Sequence, residues 1–104
     1  MVEGLLRSGG ARGAIKVVFE ETTGPSSYSA GGFTYTISGL KEVYVALVEA
    51  GGGYLAEVAS KSGNTITIKV YQFDYPSTSA GVAVEATGAD LSGVTFKIVA
   101  IGGV

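Results

Sequence analysis

Apolar and polar residues alternate along most of this 104-residue chain. A period of two places successive side chains on opposite faces of a β-strand. The clearest example is TITIKVYQF, whose two isoleucines and valine share one side. The same kind of pattern predicts strands over 14–20, 33–37, 42–49, 54–59, 65–73, 82–85 and 94–101.

Short glycine-containing segments separate these predicted strands. Residues 51–53 are three glycines, and Ser62, Gly63 and Asn64 form the next connection. Both supply residues that tolerate positive φ, as tight hairpins require, so we expect 42–73 to form a three-stranded antiparallel meander. With seven or eight short strands and no sustained helical period, the chain is predicted to be all-β, an antiparallel sandwich or jelly-roll-like barrel.

The strand predicted over 42–49 is apolar on both of its sides. If one side fills the core, the other is a nearly charge-free surface, which a monomer rarely leaves in water. We therefore predict that a partner subunit or a second sheet covers it. The side assigned to the core is Val43, Val45 and Leu47, and the side assigned to the partner is Tyr44, Ala46 and Val48.

Residues 14–104 are long enough to form one domain with its own core. Residues 1–13 instead read as an extended N-terminal arm, with glycines between Glu3, Arg7 and Arg12. One interpretation is a loosely held chain end. The other is a segment that becomes ordered on a partner, with Leu5 and Leu6 as its anchors.

Composition narrows the classes of function. Only 15% of residues are charged, the formal net charge is −2, and the seven Lys and Arg residues are scattered singly. Without a basic cluster there is little to drive binding to nucleic acid. The longest apolar run, 43–48, is far too short to cross a bilayer, and the N-terminus lacks the apolar core of a signal peptide. We expect a soluble, unexported protein with no direct nucleic-acid or membrane partner.

The chain contains no His and no Cys, which removes the commonest general bases and the thiol nucleophile. A glycosidase-type pair chosen from the nine carboxylates is the remaining catalytic option. Most of these carboxylates lie at polar strand positions or beside turns, and Asp90 is expected to bond local backbone amides. No metal-binding or phosphate-binding motif is present. We therefore predict a protein that is not an enzyme and has no catalytic residue, metal or cofactor.

Three aromatic residues, Tyr71, Phe73 and Tyr75, follow one another at alternate positions. Exposed rings of this kind stack on sugars, bind protein partners, or pack within and along the edge of a sheet. The sequence leaves all three interpretations open, and these residues join the candidate partner interface.

Three stretches of the chain carry a family resemblance. YSAGGF (28–33), GLKEV (39–43) and above all GADLSGVTFKIVAIG (88–102) resemble small β-sandwich structural proteins in the virions of tailed bacterial viruses. The resemblance covers about 28–102 and consists of turns and apolar strand positions, so no functional residue is carried over. It implies a capsid decoration or cement protein that clusters as homotrimers on the major capsid protein. The glycine-rich basic arm departs from that family.

The leading hypothesis is accordingly a non-enzymatic virion structural protein. It would be made in the host cytoplasm and placed on the capsid exterior, in contact with the major capsid protein and with copies of itself. The alternatives are a tail or baseplate component and a carbohydrate-binding module. The predicted interface residues are Leu5, Leu6, Tyr44, Ala46, Val48, Tyr71, Phe73 and Tyr75.

Overall fold

The computed structural model describes residues 14–73 and 83–104. This part of the chain contains seven strands and no helix. The strands are β1 (Ile15–Thr23), β2 (Phe33–Thr36), β3 (Glu42–Ala50), β4 (Leu55–Ser62), β5 (Thr65–Phe73), β6 (Ala83–Glu85) and β7 (Thr95–Gly103).

The strands form two antiparallel sheets. One has three strands in the order β1-β7-β3. The other has four strands, in which β5 lies between β4 on one side and β2 on the other and also pairs with β6. The predicted all-β sandwich is thus confirmed. The strand ends differ by a few residues; β1, for example, continues beyond Glu20 and ends at Thr23.

The core lies between the two central strands. In β5, the side chains of Ile66, Ile68 and Val70 are fully buried, and the intervening residues face away from the core. In β7, the buried residues are Phe96, Ile98 and Ala100. Burial of each large apolar side chain contributes about 1.5–3 kcal/mol. The two sheets therefore stack with the apolar sides of β5 and β7 facing each other.

The predicted meander is half correct. β4 and β5 form a hydrogen-bonded hairpin, with Ser62 opposite Thr65 and Gly63 at a φ of 61° in the two-residue turn. A glycine with positive φ at the first turn position suits this kind of hairpin. β3, however, pairs with β7 and not with β4. The three glycines at 51–53 therefore carry the chain from one sheet to the other.

A β-bulge interrupts β3 between Val43 and Val45. The bulge adds one residue to β3, and because side chains alternate with a period of two, one extra residue exchanges the two sides of the strand that follows. Val43 is buried before the bulge, whereas Val45 and Leu47 are exposed after it. Ala46 and Val48 pack against the core. The predicted assignment of core and outer sides is wrong beyond Val43.

Two loops at one end of the sandwich are bonded to each other. The backbone N–H of Gly24 donates to Leu91 O at 3.0 Å, and that of Tyr28 donates to Ala89 O at 2.9 Å. Leu91 is fully buried, and a Cβ added at Gly24 would lie 2.6 Å from its Cβ. Position 24 therefore has to be glycine, because the two loops approach each other too closely there for a side chain.

The turn after this contact behaves as predicted. Asp90 Oδ1 accepts hydrogen bonds from Ser92 N at 3.0 Å and from Ser92 Oγ at 2.6 Å. The two bonds stabilise the carboxylate and hold the pKa of Asp90 below its ordinary value. Asp90 thus closes a local turn, as expected from the sequence.

Candidate interaction surface

The outer side of the three-stranded sheet carries two complete rows of apolar residues. The strand register places Ile101 of β7 between Val17 of β1 and Val45 of β3. The next row is Phe19, Val99 and Leu47. We call these six residues the apolar face.

The edge strands leave the largest side chains of this face in water. Phe19 is 80% exposed, Leu47 is 65% exposed and Val45 is 52% exposed. Val99 and Ile101, on the central strand, are partly buried. Single exposed apolar residues are ordinary, whereas a contiguous apolar patch is typical of protein or membrane contact surfaces and of ligand grooves.

A row of charged residues borders the apolar face. Glu21, Lys97 and Glu49 lie opposite one another across β1, β7 and β3. Together with Phe19, Leu47 and Val99 they line an open groove of about 400 Å³. A surface of this kind can bury apolar side chains of a partner and use the charged border to set its orientation.

The outer side of the four-stranded sheet is chemically different. The register aligns Thr34 with Thr67 and Thr36 with Thr65, and the Thr36 and Thr65 hydroxyls lie 3.1 Å apart. Farther along β5, Lys69 lies opposite Glu57. The described sandwich therefore has one apolar and one largely polar outer side, and only the apolar side carries the features of an extended docking surface.

The three residues predicted on the outer side of β3 are separated by the structure. Tyr44 is 47% exposed, and its ring lies beside Gly103, where an added Cβ would be 2.8 Å from Tyr44 Oη. Ala46 and Val48 lie on the inner side. The outer side of β3 is apolar as expected, but Val45 and Leu47 form it in place of Ala46 and Val48, and its coverage by a partner stays a prediction. Phe19 was not anticipated, because the alternation of β1 groups it with Ile15 and Val17 on the more apolar side of the strand, which would ordinarily face the core. Val18 is instead the residue that packs inward.

The aromatic cluster is described in part. Tyr71 and Phe73 both lie at the outer side of β5, and the Tyr71 hydroxyl donates a 2.7 Å hydrogen bond to Glu57 Oε2. This carboxylate raises the pKa of Tyr71 above its ordinary value, since it would repel a phenolate. Leu5, Leu6 and Tyr75 lie outside the described residues.

Tyr28 connects three parts of the fold. Its hydroxyl donates a 2.7 Å hydrogen bond to Glu85 Oε2 and accepts one of 3.0 Å from the backbone N–H of Val70. Gly31 N–H donates to the same Glu85 oxygen at 2.7 Å. Burial, followed by the bond to Glu85, raises the pKa of Tyr28 to about 12, and the Tyr28 bond is the main cause of a lowered pKa at Glu85. These hydrogen bonds hold the loop between β1 and β2 beside the four-stranded sheet.

No group of three or more His, Cys, Asp and Glu side chains in the described ranges is arranged to hold a metal ion. Within residues 14–73 and 83–104 there is also no helix long and apolar enough to cross a membrane.

Comparisons with protein-family models, with curated proteins and with solved structures found no match to this chain.

Proposed function

We propose that the protein is a non-enzymatic structural subunit that binds its partner through the apolar face. The observation that carries this proposal is the contrast between the two outer sides of the sandwich. One exposes Phe19, Val45 and Leu47 together, whereas the other presents mainly hydroxyl and charged groups. An assembly that covers the apolar face gains the free energy of burying it and leaves the polar side in water.

The particular assembly we propose is a viral shell. The resemblance of 28–33, 39–43 and 88–102 to virion structural proteins of tailed bacterial viruses favours a decoration or cement protein on the capsid exterior. Its partners would then be the major capsid protein and further copies of this chain. In this arrangement the apolar face contacts the shell, and the polar sheet faces solvent.

Co-sedimentation with shells tests this proposal. Shells assembled from the major capsid protein of the virus that encodes the chain are mixed with the wild type and with Phe19→Ser/Leu47→Ser. We expect stoichiometric binding of the wild type and at least a tenfold weaker binding of the double variant, because burial of two large side chains contributes about 3 kcal/mol or more. Thr34→Ser/Thr67→Ser changes the opposite side and serves as the matched control.

Two outcomes would contradict the proposal: wild-type protein that stays in the supernatant, or a double variant that binds as well as the control. Electron microscopy of labelled particles separates a capsid position from the tail or baseplate alternative.

A carbohydrate-binding module is the second candidate. Tyr71, Phe73 and Leu55 lie near one end of the outer side of the four-stranded sheet, and Phe73 and Leu55 are 43% and 47% exposed. Aromatic rings at such a position suit stacking on a sugar. Binding of wild type to a glycan array, lost in Tyr71→Ser and kept in Phe19→Ser, would favour this candidate over the first.

A further inference from the structure

The outer edge of β1 is unpaired within the described part of the chain. β1 pairs along its whole length with β7, in continuous register from Ile15 opposite Gly103 to Thr23 opposite Thr95. No other described strand approaches it. An edge of nine residues without proline or bulge is a template for adding another strand.

The other edge strands of the described sandwich are protected against such pairing. β3 has its bulge at Val43/Val45, and β4 has a bulge at Val58/Ser60. β2 and β6 have only four and three residues. Bulges and short strands are two of the means by which proteins prevent edge pairing. β1 lacks both.

One hydrogen bond shows which backbone groups of β1 face the open edge. Val104 N–H donates to Ala14 O, which makes residues 14 and 104 a hydrogen-bonded pair of the ladder. Such pairs alternate along antiparallel strands. The backbone groups of Lys16, Val18 and Glu20 therefore point toward β7. The groups that point to the open edge belong to Ile15, Val17, Phe19 and Glu21.

We propose that β1 of one copy pairs antiparallel with β1 of a second copy about a two-fold axis at Val18, so that two three-stranded sheets become one six-stranded sheet. Lys16 of each copy then lies opposite the other copy's Glu20. Val17 lies opposite the other copy's Phe19. Opposite charges and aromatic with β-branched residues are the favourable cross-strand pairs in antiparallel sheets.

The charges select this register over its neighbours. An axis at Phe19 would place Val18 opposite the second copy's Glu20 and Lys16 opposite its Thr22, so the ion pair would be lost. An axis at Val17 would place Lys16 opposite the second copy's Val18. Registers that pair even-numbered with odd-numbered residues would set the apolar side of one copy beside the inner side of the other. The register at Val18 gives both Lys16–Glu20 pairs and both Val17–Phe19 pairs, and its unlike pair, Ile15 with Glu21, involves the first residue of β1.

Glu20 retains the capacity for this contact. Its Oε1 accepts the Tyr35 hydroxyl at 2.6 Å, and a carboxylate has lone pairs for further donors. The side chain of Lys16 is exposed at the same edge, without a hydrogen bond or ion pair from its ammonium group to any described residue. The second copy thus supplies a carboxylate to Lys16.

This inference deepens the proposed function and rests on it in one respect: pairing through β1 places two apolar faces side by side, as one wider surface for the shell. It also differs from the homotrimer that the family resemblance implies. A two-fold pair has a mass of about 21 kDa, twice the chain mass of 10.5 kDa, whereas a trimer has three times that mass.

Charge exchange between copies tests the pairing in the absence of any shell. The wild type is expected to form dimers by native mass spectrometry and light scattering. Lys16→Glu alone and Glu20→Lys alone are each expected to weaken dimerisation about tenfold, since they place like charges opposite each other. An equimolar mixture of the two variants should dimerise again. In the mixed pair the introduced glutamate of one variant faces the introduced lysine of the other, and the unchanged Glu20 faces the unchanged Lys16.

A cysteine scan tests the register and does not depend on the folding of Glu20→Lys. The chain has no cysteine, so one introduced thiol reports one position. Val18→Cys should form a disulfide dimer on mild oxidation, because the two Cα atoms at the axis lie about 4.5 Å apart. Phe19→Cys and Glu21→Cys lie progressively farther from their counterparts and should cross-link much less.

Three outcomes would overturn the pairing: a wild type that stays monomeric at high micromolar concentration, a mixture that does not recover dimers, or equal cross-linking at all three positions. These readouts are separate from those of the proposed function. A dimer that fails to bind shells contradicts the function alone, and a monomer that binds shells contradicts the pairing alone.

Discussion

The hydroxyl of Tyr35 on β2 donates a 2.6 Å hydrogen bond to Glu20 Oε1 on β1, and this contact links the four-stranded sheet to the three-stranded sheet. The bond to the carboxylate, together with burial, raises the pKa of Tyr35 from its ordinary value of 10.0 to about 12. The protonated phenol is the form that the folded protein stabilises.

Stability should consequently fall in alkaline solution. Tyr28 and Tyr35 titrate near pH 12 in the folded state but near pH 10 in the unfolded state. Well below pH 10 both states hold both protons, so the free energy of unfolding does not change with pH through these groups. Between pH 10 and 12 the unfolded state binds fewer protons, and stability decreases as pH rises. Urea denaturation from pH 8 to 12 measures this loss.

Tyr35→Phe supplies the comparison for the alkaline measurement. The variant lacks one of the two titrating groups, so its decline above pH 10 should be shallower than that of the wild type. Parallel curves for the two proteins would contradict the role given to the Tyr35 bond.

Removal of the Tyr28 hydroxyl should destabilise the fold. Tyr28→Phe keeps the buried ring but leaves the Val70 N–H without its acceptor and Glu85 without its phenolic donor. An unsatisfied buried donor costs about 1–3 kcal/mol. The measurement is the urea midpoint of Tyr28→Phe against Tyr44→Phe, whose parent hydroxyl is on an exposed residue. Equal midpoints would show that the Tyr28 hydroxyl has no such structural role.

Gly102 should not tolerate a side chain. An added Cβ would overlap the carbonyl oxygen of Glu42 and lie 2.9 Å from Leu40 Cδ1. Overlap with backbone requires the ladder itself to move, so Gly102→Ala should lower the free energy of unfolding by several kcal/mol, at or above the usual overpacking cost of about 1–3 kcal/mol. Gly93→Ala is the control, since nothing lies within 4 Å of an added Cβ there. Thermal unfolding that shows similar midpoints for both variants would contradict this close approach.

Because of the bulge in β3, substitutions at the adjacent residues Leu47 and Val48 should reduce stability by very different amounts. Leu47→Ser removes an outward side chain that is 65% exposed and should change stability by less than about 0.5 kcal/mol. Val48→Ser places a hydroxyl against the core and should cost about 1–3 kcal/mol. Denaturant midpoints of the two variants decide between this arrangement and an unbulged strand, for which the order of the effects would be reversed.

Much of the sandwich follows from local alternation. β5 reveals its buried side because isoleucine and valine alternate with threonine and lysine, and the first half of β7 does so because Phe96 and Ile98 alternate with Thr95 and Lys97. The turn at Asp90 and the hairpin at Gly63 follow from residue types that act within a few positions. These features depend on near neighbours in the chain.

The composition of the apolar face could not be read in the same way. β3 is apolar on both sides, so nothing in its own residues shows that a bulge reverses its orientation. Gly102, which is far along the chain from Glu42, approaches the backbone of Glu42 closely beside this bulge. The hydroxyl network of Tyr28 likewise joins Glu85 and Val70, which are distant in sequence. Long-range contacts of this kind need the sheet register, which alternation does not supply.

The unequal outer sides of the sandwich make each molecule a small amphiphilic particle. At an air–water boundary such a particle lowers its free energy by turning Phe19 and Leu47 toward the air and its threonine-rich sheet toward the liquid. Purified protein spread in a thin film should therefore adsorb in one dominant orientation.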